Sequence, residues 1–187
     1  APILLDVKSS EAALRLVESA GAAAQIWKTG HSHMKKRMKE LEAPLAGEMS
    51  GHIFIADNYL GFDDAIYAAV RVITQMVKGG QSITEFMDSL PEQHATPELR
   101  IDCPDTVKFD SMEKIRAHVL SGHDAADVNS IDGVRVRSGD GWWLIRASNT
   151  EAALVARAEA ADRTALDRLL GDIETTLAAA GLDWKRP

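Results

Sequence analysis

The sequence has one cysteine, few aromatic residues, fewer basic than acidic side chains and no long apolar run, and each shortage removes a class of function. Cys103 alone cannot close an internal disulfide, nor can it supply a metal site built from several thiolates. A reducing, cytoplasmic setting is the expectation that follows. No stretch approaches the ~20 apolar residues that span a bilayer, so no membrane partner is expected. With a formal net charge of -7 the chain has no general attraction for nucleic acid, and any anionic ligand must be gathered by a local basic pocket. The opening "APILLDV" carries no basic leader and does not read as a secretory signal. It begins abruptly on a core strand, so the first domain is expected to be partly truncated at its start, with a sheet edge left open or hidden by association.

What is present is a change of rhythm midway. "PILLDV" is a continuous apolar run that predicts a strand buried on both faces. "SSEAALRLVESAG" opens on serine caps and closes on Gly21 as a short helix. "AAAQIW" predicts a second strand, and "HSHMKKRMKEL" a helix with Met34, Met38 and Leu41 on one stripe. "PLAGEMSGHIFI" adds one or two strands. "FDDAIYAAVRVITQMVKGG" predicts a longer helix capped by Asp63, and "SITE" is a capping box for another. Alternating strands and helices argue for a parallel α/β layer.

The polar, proline-bearing "PEQHATPE" marks a domain boundary, giving domains 1–94 and 95–187. Beyond it, "LRIDCP" alternates as a strand and "DSMEKIRAHVLSG" predicts a capped helix. "GVRVRSGDGWWLIRAS" predicts two strands joined at Gly-Asp-Gly, and "RTALDRLLGDIETTLAAAG" a closing helix. "EAALVARAEA" favours helix by propensity, although a strand is needed beside "GWWLIRA". The second half is therefore an α+β domain with an antiparallel sheet.

Several residues could carry chemistry. In "GEMSGH", an extended backbone would turn Glu48, Ser50 and His52 to one side, a row suited to a polyhydroxylated ligand. A solvated hairpin tip explains the same residues. Lys8 follows the first strand, while Lys28 and His31 follow the second at a helix start, a plausible anion site in a parallel sheet. Taken singly, Lys8 reads as exposed and His31 as a helix-starting residue. "RASNT" offers a guanidinium, two hydroxyls, an amide and backbone N–H groups at a strand end, which suits a phosphate. A plain turn would use the same small polar residues. Lys35, Lys36, Arg37 and Lys39 read as a solvated helix face, and Asp63 and Asp64 as caps before metal ligands. Trp142 and Trp143 are expected to divide between the core and a partly exposed face of one sheet.

Taken in order, "DVK", "WKTGHS", "GEMSGH", "GFDDAIYAA" and "RASNT" resemble bacterial phosphomannomutase/phosphoglucomutase, of the α-D-phosphohexomutase superfamily, over nearly the whole chain. That resemblance implies the third and fourth of the family's four domains: a three-layer α/β unit and a TATA-binding-protein-like α+β unit. It implies an isomerase, an intramolecular phosphotransferase that interconverts hexose 1-phosphate and 6-phosphate through a hexose 1,6-bisphosphate. On that resemblance, Arg146, Ser148, Asn149 and Thr150 hold the phosphate not being transferred, while Glu48 and Ser50 receive sugar hydroxyls. Lys8 and His31 lie near the sugar, and His52 is a candidate acid/base.

The same resemblance assigns the phosphoryl-carrying serine and the magnesium loop to the family's first two domains, so no metal ligand is expected here. The missing N-terminal domains and a phosphorylated glucose or mannose are the implied partners. Two departures stand beside the match: Glu151-Ala152-Ala153 replaces a proline common after "SNT", and neither catalytic loop is visible. A phosphoglucosamine mutase fragment, or a phosphosugar-binding module without chemistry, would fit the same residues.

Overall fold

A computed structural model describes residues 1–186. The chain divides into two units, the first Ala1–Pro91 and the second starting at Glu92. In the first, β1 (Ile3–Asp6) pairs in parallel with β2 (Ala24–Trp27) across α1 (Glu11–Ser19), and with β3 (Leu45–Gly47), reached through α2 (His31–Leu41). A hairpin then adds β4 (Ile53–Ile55) antiparallel to β3, giving the order β2-β1-β3-β4. Successive strands are therefore added on opposite sides of β1, where parallel α/β sheets open a crevice at the strand ends.

Local chemistry accounts for these elements. Ser10 caps α1 by accepting the Ala12 N–H. Met34 and Met38 of α2 bury against Leu4, Ala46 and Phe54, with Leu41 alongside. β1 is covered less fully than its apolar run predicts: Leu4 and Asp6 are buried, while Ile3 and Leu5 are half-open. "GEMSGH" is not an extended row. β3 and β4 are last paired at Gly47 and Ile53, and Glu48 to His52 close the hairpin, with Gly51 at φ 93° donating its N–H to the Glu48 carbonyl. Glu48, Ser50 and His52 consequently take three different surroundings.

The next helix, α3 (Ala65–Gly79), is capped by Asp64, which accepts the Tyr67 N–H at 2.9 Å, and not by Asp63. Asp63 is still extended, bridged to Phe54, so its side chain cannot turn over the helix end. The Tyr59 hydroxyl, 2.6 Å from the other Asp64 oxygen, holds the Asp64 carboxyl below its ordinary range, helped by the Tyr67 N–H. α3 is amphipathic, with Arg71, Thr74, Gln75 and Lys78 gathered on one side. Ala68 is buried, while Ile66, Val70, Ile73 and Val77 stand in solvent along one stripe. A hollow of about 780 Å³, lined by Ile3, Leu45, Ile55, Met76 and Phe86 among others, separates α3 and α4 (Ile83–Asp88) from the sheet. The Ser82–Glu85 capping box of α4 forms as predicted.

The second unit is an antiparallel sheet under two helices. It comprises β5 (His94–Ala95), β6 (Leu99–Asp102), α5 (Asp105–Gly122), β7 (Val128–Asn129), β8 (Val134–Ser138), β9 (Gly141–Ala147), β10 (Ala153–Ala160) and α6 (Arg163–Ala179). The order is β5-β10-β9-β8-β7, with β6 also on β10. β5 pairs with β10, so His94 belongs to this sheet.

The ambiguous "EAALVARAEA" is the central strand β10: pairing with β9 on one side and with β5 and β6 on the other overrides helix propensity. α5 starts at Asp105 rather than Asp110, with no side-chain cap. Trp143, Ile145, Leu154 and Ala156 meet Ile115 and Val119 of α5 and Leu169, Ile173 and Leu177 of α6 in one core. Trp142 lies on the other face yet is only 1% exposed, against the partial exposure expected. Its indole N–H donates to Glu159, and the Arg135 guanidinium stacks 3.7 Å from its ring centroid. Among the described residues no helix is long and apolar enough to cross a membrane.

One approach in this unit is tight. Gly133 sits at φ 78°, and a Cβ there would lie 2.2 Å from the Ile145 carbonyl oxygen and 2.6 Å from the Arg146 Cα. Gly133→Ala is therefore expected to lose at least about 2 kcal/mol, from left-handed strain plus overpacking, read as a lower urea midpoint. Gly139→Ala, where an added Cβ meets nothing within 4 Å, should leave the midpoint nearly unchanged. Equal midpoints for the two variants would contradict the close approach.

Candidate functional site

The carboxyl ends of β1, β2 and β3 meet at one edge of the first unit, and a buried carboxylate organises them. Asp6, at the end of β1, is 0% exposed. One of its oxygens accepts the Ser9 hydroxyl at 2.7 Å and the Met49 N–H at 3.1 Å; the other accepts the Thr29 hydroxyl at 3.1 Å. A carboxylate in this setting can only accept, so it draws donors from the β1, β2 and hairpin loops toward itself. Lys8 lies within the first of these loops and is buried, not exposed.

Glu48 is buried as well, and takes the Gly30 N–H at 3.0 Å, which puts its carboxylate at the N-terminal end of α2. The Ser50 hydroxyl, at the exposed tip, lies 3.4 Å from the other Glu48 oxygen. The sequence-predicted Glu48 and Ser50 are thus brought together, and Thr29 and Gly30 join them. Lys28 is not part of this group; it is exposed and lines a separate hollow with His33 and Lys36. Arg37 stacks on Trp27 and pairs with Glu40, consistent with a solvated helix face for the basic run.

His31 and His52 meet beside this edge, with ring centroids 4.3 Å apart, and Phe54 holds His31 edge-on. Asp63 accepts from His52 Nδ1 at 2.7 Å and from the Ile53 N–H at 3.3 Å. A carboxylate on Nδ1 makes that nitrogen the donor and leaves Nε2 as the free basic position. Asp63 was expected as a cap before a metal ligand, and the bridge to Phe54 that redirects it forms only where the chain folds back on β4.

In the second unit, "RASNT" spans the end of β9 and the start of the turn into β10. Arg146 is 4% exposed, and its Nε donates to Asp132 at 3.1 Å. Its Nη2 is buried and has no hydrogen-bond partner among the described residues. Ser148 closes the turn: its N–H donates to the Ala153 carbonyl, and its hydroxyl oxygen accepts the Thr150 and Glu151 N–H groups at 3.3 and 3.1 Å. Asn149 and Thr150 are exposed at the tip.

Lys108, which the sequence reading passed over, holds this turn from behind. It is 5% exposed and donates to the Ser148 and Glu151 carbonyls at 3.0 and 2.9 Å, while pairing with Asp105 at 2.6 Å. A polar residue in a helical window gives no hint of a target forty residues away; only a lysine spaced with the buried stripe of α5 could have raised the question. Arg100 and Glu151 pair across the outer side of the turn.

Magnesium finds no suitable cage in these residues. The one group of three His, Cys, Asp or Glu donors that converge among the described residues is His31, His52 and Asp63, and two of its donors are imidazole nitrogens. Magnesium prefers oxygen ligands in octahedral array.

Comparison with known proteins agrees with the two-unit architecture. The family model described as "Phosphoglucomutase/phosphomannomutase, alpha/beta/alpha domain III" matches residues 1–94, and "Phosphoglucomutase/phosphomannomutase, C-terminal domain" matches 98–176. The phosphomannomutase/phosphoglucomutase of Pseudomonas putida is 42% identical over 177 residues, covering 95% of this chain and 38% of that protein. That of Pseudomonas syringae pv. tomato is 38% identical over 187 residues, 100% of this chain and 40% of the relative. A crystal structure of a phosphoglucomutase/phosphomannomutase family protein from Burkholderia thailandensis superposes with a TM-score of 0.86 at 37% identity, over 98% of this chain and 39% of that one. The chain spans about two-fifths of the length of these relatives. Its two units match the third and C-terminal domains in turn, and the chain belongs to the phosphoglucomutase/phosphomannomutase family.

Proposed function

We propose that this chain is the phosphosugar-holding part of a phosphomannomutase/phosphoglucomutase, its second unit anchoring a phosphate ester and its first unit receiving hexose hydroxyls. The observation that carries this reading is the Arg146 guanidinium, fixed by Asp132 at Nε, buried, and left with an unsatisfied Nη2. A buried donor without a partner is costly, and a bidentate anion is the ligand that a guanidinium fork satisfies. The Ser148, Asn149 and Thr150 side chains add hydroxyl and amide groups beside it.

In the first unit, Glu48 and Ser50 take the sugar hydroxyls, and Lys8 and His31 flank the sugar. His52 moves a hydroxyl proton, with Asp63 orienting the ring so that Nε2 is the working nitrogen. Glucose and mannose differ only at carbon two, so contacts to other hydroxyls do not separate them. The whole enzyme interconverts hexose 1-phosphate and 6-phosphate through a bisphosphorylated sugar. Magnesium, supplied outside these residues, would neutralise the charge that develops on the transferred phosphoryl group. The isolated chain is expected to bind phosphosugar and show no mutase turnover.

Calorimetry of the 187-residue chain with glucose 1-phosphate tests the anchor. Arg146→Ala should lose about 1.5–3 kcal/mol, roughly one to two orders of magnitude in Kd, as for a charged hydrogen bond. An unchanged Kd would refute the assigned turn.

Lys108→Met should also weaken binding, although Lys108 touches the turn only through the Ser148 and Glu151 carbonyls while pairing with Asp105. The same change should lower unfolding stability by about 2 kcal/mol, since it strips a charged donor from buried acceptors. Wild-type affinity and midpoint in that variant would show that the turn stands without it.

A further inference from the structure

The geometry points to a binding site for a borderline-soft divalent transition metal, of the zinc class, formed by His31, His52 and Asp63. One donor atom from each of these side chains lies within 4.8 Å of the others. His31 Nε2 is 3.7 Å and His52 Nδ1 2.7 Å from the same Asp63 oxygen. A tetrahedral zinc ion holds nitrogen and oxygen donors at ~2.0–2.2 Å, so the donors must stand ~3.4 Å apart. The observed separations straddle that value. A small rotation of the Asp63 carboxyl, giving up its bond to His52, opens the space, and the His52 ring proton moves from Nδ1 to Nε2 so that Nδ1 has a lone pair for the ion.

The three donors are placed by backbone. His31 is the first residue of α2, His52 leads directly into β4, and Asp63 is tied to Phe54 of β4 by a β-bridge. Buried Phe54 supports the His31 ring edge-on, which narrows its orientations before any ion arrives. His31 is exposed and the other two are half-buried, so an ion has access and a fourth position stays open to water. Two imidazoles and one carboxylate select zinc, nickel or copper over magnesium, which requires oxygen ligands. An ion here occupies His52 and His31 and would oppose phosphosugar binding; that consequence, unlike metal binding itself, rests on the roles proposed for these residues above.

The test is titration of the full 187-residue chain with zinc and magnesium by calorimetry, and with cobalt(II) by visible absorption. The expected result is one equivalent of zinc, a four-coordinate cobalt spectrum, and no comparable uptake of magnesium. His31→Ala and Asp63→Asn should each weaken zinc at least ~10-fold, the loss typical when a metal site is depleted of a supporting group. His33→Ala, on the same helix but outside the cluster, should bind as the parent does. Circular dichroism checks that the variants are folded, and His31, exposed at a helix start, is the safer of the two to remove.

Absence of zinc binding, equal binding by the His31 and Asp63 variants, or an equal loss in the His33 variant would each overturn the site. If zinc binds as expected but leaves glucose 1-phosphate affinity unchanged, the metal site stands and the sugar roles of His31 and His52 fall.

Discussion

A guanidinium removed from water with one arm unpaired is the constraint on which this account depends. Burying a charge is costly unless a partner and further hydrogen bonds compensate it. Arg146 has its partner in Asp132, and the pairing requires the chain at Gly133 to pass against the backbone of β9 closer than any side chain permits. β9 itself is fixed between β8 and β10, so the arginine has little freedom to relax toward solvent. The remaining donor is therefore aimed by the fold, and the free energy left unsatisfied there becomes available to a ligand oxygen. Lys108 repeats the logic from the other side of the turn, with a buried ammonium satisfied by the very carbonyls whose positions define it.

The first unit uses the opposite charge for the same purpose. Asp6 has no polar partner of its own strand; it gathers a hydroxyl from the loop after β1, another from the loop after β2 and an N–H from the hairpin tip. Glu48 then satisfies the Gly30 N–H at the start of α2. Side chains distant in sequence are thereby held at the edge where parallel strands end, and His31, His52 and Asp63 collect beside them. The chemistry available at that edge, hydroxyl recognition or a captured cation, follows from which of these donors and acceptors remain open.

Much of this was legible in the residues. Short apolar runs broken by capped helices gave the α/β half, and the shift to alternating strands gave the antiparallel half. Glu48, Ser50, His52 and the Arg146 to Thr150 turn stand out because small polar groups cluster where strands end. What could not be read were effects of strand pairing. "GEMSGH" fits an extended row and a hairpin tip alike, and the Gly47 to Ile53 register makes it the tip. "EAALVARAEA" reads as helix until its neighbours on both sides are known. Asp63 and Asp64 are indistinguishable as caps in sequence, and only the bridge to Phe54 sends one to His52 while the other closes α3. Asp6 and Lys108 carried little local signal because, apart from Ser9 and Asp105 close by, their partners lie in other loops.

The buried Arg146 guanidinium is proposed here as an anchor for a phosphate ester. Its most direct test is nitrogen-15 NMR of the arginine side chains in the 187-residue chain during titration with mannose 1-phosphate and, separately, with mannose. The Arg146 Nη resonances should move with the phosphorylated sugar and stay in place with the free sugar. Equal movement with both sugars, or no movement at Arg146 while the phosphorylated sugar binds elsewhere, would contradict it.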